Sequence, residues 1–230
     1  MKPKFPYDTV ETEDKKMGMF SRKDMVRLFG PLLVEQLLAV LVGMADVVMV
    51  AAVGETAVSG VALVDSISVL VIQVLSAMAT GGAVVCAQYI GKKRQDQACR
   101  AAGQLVLITA VLSLLIASTA FIGNRHLLRL IFGSVETEVM DNAATYFWFT
   151  AMSYPFLALY NSGAALFRSM GNSKVSMKVS LAMNAINVAG NALCVFGLRM
   201  GVEGVAIPTL LSRMFAAVVM VLLVRSPKNS

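Results

Sequence analysis

Charge is scarce in this sequence: only 15% of its 230 residues are Asp, Glu, Lys or Arg, and 57% are hydrophobic. Soluble globular domains run at about 25% charged and about 45–50% apolar, so an ordinary water-soluble domain is excluded. Cysteine is rarer still. Cys86, Cys99 and Cys194 are odd in number and scattered, without the CxxC or His-partner spacing of a metal centre or a disulfide framework. They read as core fillers, with Cys99 facing a reducing cytoplasm. The single histidine, His126, sits beside Arg125 and reads as a solvated loop residue. There is no P-loop, no GxSxG elbow and no HExxH, so the residues for hydrolytic or ATP-driven chemistry are missing, and neither an enzyme nor a cofactor is expected. The formal charge of +6 is spread in short clusters between apolar runs. That distribution encodes membrane orientation rather than a nucleic-acid surface.

What the chain does have is long apolar runs, with a mean hydropathy of +0.71. The first, residues 28–53, reads LFGPLLVEQLLAVLVGMADVVMVAAV and exceeds the roughly 20 residues that cross the roughly 30 Å hydrocarbon core. Further runs cover residues 57–90, 101–122, 140–167, 175–198 and 202–224, giving six spans in an all-α membrane bundle over residues 25–225. The tail, residues 1–24, lacks the apolar centre and cleavage site of a signal peptide. Residues 123–139 contain NRHLLRLIFG, whose apolar positions predict a short helix lying in the interface. Pro155 should kink the fourth span. Positive charge gathers in the tail, in GKKRQDQACR, in RSMGNSK and in the final RSPKNS. An even number of spans then places both termini in the cytoplasm of a bacterial-type inner membrane.

The functional clue is Asp46, deep inside the first span. An ionised carboxylate at that depth costs at least about 2.5–3.5 kcal/mol, so it faces a bundle interior or a water-filled cavity. Asp46 lies nine positions before Glu55, Asn191 eight before Arg199, and Asp65 ten after Glu55. At about 1.5 Å per residue, all three sit about 12–15 Å below the outer face and could share one cavity. Asn184, Asn187 and Asn191 recur at i, i+3 and i+7 and form a polar stripe on one helical face. A carboxylate facing amide oxygens suits a proton or Na⁺, because burial favours the protonated acid and both oxygen types are hard ligands. Asp46, Asn187 and Asn191 are the candidate Na⁺ ligands, with Asn184 and Asp65 as further cavity residues. The bland reading stands beside this one: asparagines also act as glue between membrane helices, at about 0.6–2 kcal/mol each, and Asp65 would suit a helix end near the outer interface. Glu35 lies close enough to the inner surface to reach water or headgroups. Arg213, near mid-membrane, needs an acidic or carbonyl partner that the sequence does not name. The small-residue runs ATGGA at 79–83 and SGAA at 162–165 allow close helix packing.

Taken in order, several motifs carry a family resemblance: Pro31, MADVVMVAAVG, TGGAVVCAQYIGKKRQDQACRAAGQ, LFRSMGNSK, NAINVAGNALCVFG and GVEGVAIPT. Together they resemble multidrug and toxic compound extrusion (MATE) transporters over about residues 20–230. The resemblance implies an antiporter that exports organic, often cationic, compounds in exchange for Na⁺ or H⁺. It also implies twelve helices in two six-helix lobes around a central cavity. Asp46 matches the family's first-helix aspartate and Asn187 a polar residue of the fifth helix. Asn191 stands where some members carry a second aspartate, which weakens a two-carboxylate proton site. The chain covers only the N-terminal lobe, and residues 226–230 look like the start of an inter-lobe linker. A fragment, a half-transporter pairing with itself or with another half, or a truncated product without transport would each fit. Besides membrane lipid and a small organic substrate, the expected partner is therefore a second six-helix lobe. A lipid-precursor flippase of the same superfamily and a non-transporting membrane interaction subunit are the alternative functions.

Overall fold

The computed structural model describes residues 22–225. The expected tail up to residue 21 and the expected linker at 226–230 lie outside the described residues. Six long helices follow one another: α1 (Arg22–Ala51), α2 (Glu55–Gly91), α3 (Gln95–Phe132), α4 (Thr137–Ser169), α5 (Ser173–Ala192) and α6 (Glu203–Arg225). There is no strand among the described residues.

Side-chain bonds fix the directions of the helices. Arg125 near the end of α3 pairs with Asp141 at the start of α4, so these two run antiparallel. Thr56 and Glu138, at the starts of α2 and α4, are 3.2 Å apart and make that pair parallel. One end of the bundle therefore gathers the basic turns, Lys92 to Arg94 between α2 and α3 and the Lys174 region between α4 and α5. We refer to it as the basic end.

Helix α4 is the hub and packs against α2, α3, α5 and α6. Its buried face mixes apolar residues with Tyr146, Thr150, Ser153, Tyr154, Tyr160 and Ser162. The other five helices are long and apolar enough to cross a membrane. Helix α4 can be more polar because its neighbours surround it and the hydroxyls of Ser153, Tyr154, Tyr160 and Ser162 find partners. Ser162 pairs with Thr109 of α3 at 2.7 Å, and Tyr154 with Ser68 of α2 at 3.1 Å. Buried groups of this kind are retained when each is hydrogen-bonded. The whole is an integral membrane bundle.

Close approach depends on small residues where the sequence placed them. Ala79 and Ala83 of α2 pack on Ala165 of α4, joining the two runs at 79–83 and 162–165. Near the opposite end, a methyl group on Gly60 would meet the α4 backbone at Ala143 N and Val139 O, both at 2.9 Å. One expectation is corrected. NRHLLRLIF is not a separate helix in the interface but the continuous end of α3, which runs unbroken to Phe132. Leu128 is fully buried in the central core, with Leu127 and Phe132 packed against it, while Leu130 and Ile131 stay exposed. The segment is amphipathic because one face meets α4, and the sequence pattern alone did not say which surface it meets. Pro155 lies inside α4, which is continuous through it.

Candidate cation and substrate site

The polar stripe of α5 faces α1 on one side and α6 on the other. Asn191 is completely buried and its Nδ2 donates to Asp46 Oδ1 at 2.8 Å. The same Nδ2 reaches Asn187 Oδ1 at 3.4 Å, a longer and weaker contact. Asn187, also buried, donates from Nδ2 to Thr209 Oγ1 at 2.9 Å, and Thr209 donates to the Val205 carbonyl at 2.8 Å. Donation thus starts at Asn191 and runs two ways across three helices, to Asp46 on α1 and, through Asn187 and Thr209, to the Val205 carbonyl on α6. Asn184 lies one turn nearer the basic end, half-buried and without a side-chain hydrogen bond to the other described residues. It stands outside this network.

The local backbone accounts for this placement. Just past Asn191, residues Leu193–Gly197 form one π-helical turn, in which the Leu198 N–H bonds to the Leu193 carbonyl. Such wide turns recur at functional sites. Helices α5 and α6 meet at Gly190, where a methyl group would come within 2.7 Å of Pro208 Cβ. Without a side chain there, Asn187 and Thr209 come within hydrogen-bonding distance.

Arg213 of α6 now has a partner: it donates to Ser153 Oγ of α4 at 2.6 Å. Its guanidinium is also near enough to Asp46 and Asp65 for their charges to interact, and the two carboxylates feel one another. Asp65 is exposed on the lobe surface, on the side of Tyr146. Asp46 is half-buried. Two acids and one guanidinium therefore share a single electrostatic neighbourhood. The groove of about 710 Å³ between α3, α4 and α6, bounded by Cys99, Gly103, Gly163 and Arg225, includes none of these residues.

The donor set suits a small hard cation in part. Carboxylate and amide oxygens are hard ligands, and Asn191 Oδ1 is a buried acceptor with no donor. Leaving such an acceptor unpaired costs about 1–3 kcal/mol, which a cation or an O–H donor would relieve. Asn191 turns its Nδ2 rather than its oxygen to Asp46, whose carboxyl oxygen accepts the bond.

Sequence reading missed Thr209 and Ser153, although Thr209 had a signal, a hydroxyl directly after a proline in an apolar run. It also misplaced Glu35. Rather than reaching water, Glu35 turns inward to Tyr160, Ser176 and Arg168.

The family model MatE matches residues 31–193, well over half of the chain. The chain belongs to the MatE family. This is a family of transporters, and the matched segment carries both Asp46 and Asn191. The MatE chain is 28% identical over 215 residues to the "Uncharacterized transporter YisQ" of Bacillus subtilis, covering 92% of this chain and 46% of YisQ. It is also 28% identical over 203 residues to the "Probable multidrug resistance protein NorM" of Thermotoga maritima, covering 85% of this chain and 43% of NorM. The chain spans about half the length of the curated relatives it matches. In three dimensions it resembles an outward-facing multidrug resistance MATE transporter of the MOP superfamily. The TM-score is 0.84 at 20% identity, over 90% of this chain and 46% of that one. The six-helix bundle is thus the fold of one lobe of a two-lobe MATE transporter.

Proposed function

We propose that this chain is the N-terminal lobe, over residues 25–225, of a cation-coupled antiporter exporting organic, mainly cationic, compounds. The observation that carries the reading is the 2.8 Å contact between Asp46 and Asn191, beside the unpaired Asn191 Oδ1. Asp46 takes up Na⁺ or H⁺. Asn191 and Asn187 supply the neutral oxygens, and the Asn191 amide turns over when the cation arrives. The organic substrate rides on the face that carries Asp65. Coupling requires the cation and the substrate to favour opposite-facing states, because a ligand of equal affinity for both shifts nothing.

In this reading the basic end lies in the cytoplasm of a bacterial inner membrane, as the lysine and arginine bias dictates. A second six-helix lobe completes the cavity, and an axis along the membrane normal relates the two lobes. A flippase for an anionic lipid-linked headgroup is the second reading, favoured by Arg213 beside the acids. Two carboxylates against one guanidinium weigh against it.

The test is Asp46→Asn in vesicles carrying the assembled transporter, with efflux of an organic cation driven by an imposed Na⁺ or H⁺ gradient. Loss of gradient-driven efflux at unchanged membrane abundance is the expected result. Efflux at the wild-type rate would remove Asp46 from the mechanism.

A further inference from the structure

Helix α1 is held to the bundle in an unusual way. Among its described residues only Pro31, Met49 and Val50 are buried, and none from Leu32 to Val48 is. Leu33, Leu37, Leu41 and Met44 are each more than half exposed. Lipid tails are as apolar as leucine, so sliding α1 along its neighbours would change little apolar packing energy, and polar contacts must set its position.

Among the described residues there are two such contacts, eleven residues or about 16 Å apart along the helix. At one end Asp46 meets Asn191. At the basic end, Glu35 Oε1 accepts from the Tyr160 hydroxyl at 3.0 Å, and Oε2 accepts from Ser176 Oγ at 3.2 Å. Arg168 NH1 lies 3.7 Å from Oε1. Tyr160 and Arg168 belong to α4 and Ser176 to α5, so one carboxylate ties three helices together.

The two acids differ in their company. Glu35 already has a guanidinium and two hydroxyl donors, and its side chain is only 18% exposed. A cation arriving there would have to displace Arg168. The Asp46 carboxylate is bonded by a neutral amide and shares its one guanidinium neighbour with Asp65. One end of α1 is therefore suited to exchange and the other to permanence. We propose that Glu35 is a positioning residue of the coupled cycle, holding α1 to α4 and α5 at the basic end while the Asp46 end is released and regained. The proposal rests on the antiport reading given above.

Two spin-label pairs test it in the assembled transporter, after replacing Cys86, Cys99 and Cys194 by serine. One pair, at positions 33 and 178, reads the basic end; the other, at 47 and 193, reads the Asp46 end. Adding Na⁺ or acid should change the second distance and leave the first fixed. Glu35→Gln should shift or broaden the first by about 2 Å or more, the scale of a helix displacement. Arg168→Gln, which keeps both hydroxyl donors, should loosen the same pair if Glu35→Gln fails to fold. It should also lower the maximal efflux rate about tenfold, as expected for loss of a charged contact, with KM for the organic cation unchanged. Exchanging the charges, Glu35→Arg with Arg168→Glu, should recover part of that rate.

A basic-end distance unmoved in both single variants would overturn the proposal, as would a raised KM at unchanged maximal rate. If the wild type shows no gradient-driven efflux, the antiport reading fails and the coupled role of Glu35 fails with it. The label pair at 33 and 178 then still decides whether Glu35 anchors α1.

Discussion

Asp46 on α1 accepts a 2.8 Å hydrogen bond from Asn191, a residue 145 positions later that is completely buried on α5. The contact makes the first helix depend on the fifth. It also leaves Asn191 Oδ1 without a donor, so the site holds a buried acceptor beside a half-buried acid.

Asn191→Leu removes the donor to Asp46 and the orphan acceptor together. The counter-ion should bind about tenfold or more weakly, the cost of losing a hydrogen bond to a charged group. Half-maximal Na⁺ or proton concentration for driven efflux is the measurement. An unchanged value would leave Asn191 as interhelical glue.

Arg213→Gln removes the guanidinium near Asp46 and Asp65 and keeps a donor for Ser153. Repulsion of a cationic cargo falls, so a fluorescent organic cation should bind about tenfold or more tightly, following the size of a charge interaction at short range. Equal affinity for wild type and variant, by fluorescence titration, would place the substrate elsewhere.

Gly190→Ala puts a methyl group 2.7 Å from Pro208 Cβ. Overpacking of this kind costs about 1–3 kcal/mol, and the thermal midpoint of the detergent-solubilised protein should fall. Gly103→Ala on α3 meets nothing within 4 Å and should leave the midpoint where it is. If both variants melt alike, α5 and α6 do not approach at Gly190 as described.

Asp141→Ala breaks the ion pair with Arg125, whose two side chains are 57% and 52% exposed. Exposed pairs are worth about 0–1 kcal/mol, so thermal stability should barely change. A drop matching that of Gly190→Ala would mean the pair is shielded in the membrane.

The six helices were legible because hydropathy and bilayer thickness act on each segment separately. Even α4, the least apolar, was long enough to read. The polar stripe of α5 was legible for a similar reason, since spacings of three and four residues fix one helical face whatever the neighbours. The end of α3 was not, because an amphipathic stretch such as residues 124–132 looks the same whether its apolar face meets lipid or α4. Glu35 was misread on the same grounds: depth along a helix follows from residue number, but rotation toward Tyr160 and Ser176 does not.

By itself the sequence determined that this chain enters a membrane as six helices and that Asp46 and the α5 asparagines lie at comparable depth. Length, apolarity and helical rise are properties of single segments. Only the tertiary structure decided which polar groups meet. It paired Asp46 with Asn191, Asn187 with Thr209, Arg213 with Ser153, and Glu35 with Tyr160 and Ser176. The physical reason is that polar groups removed from water must find partners, and the identity of each partner depends on how the helices are rotated and packed.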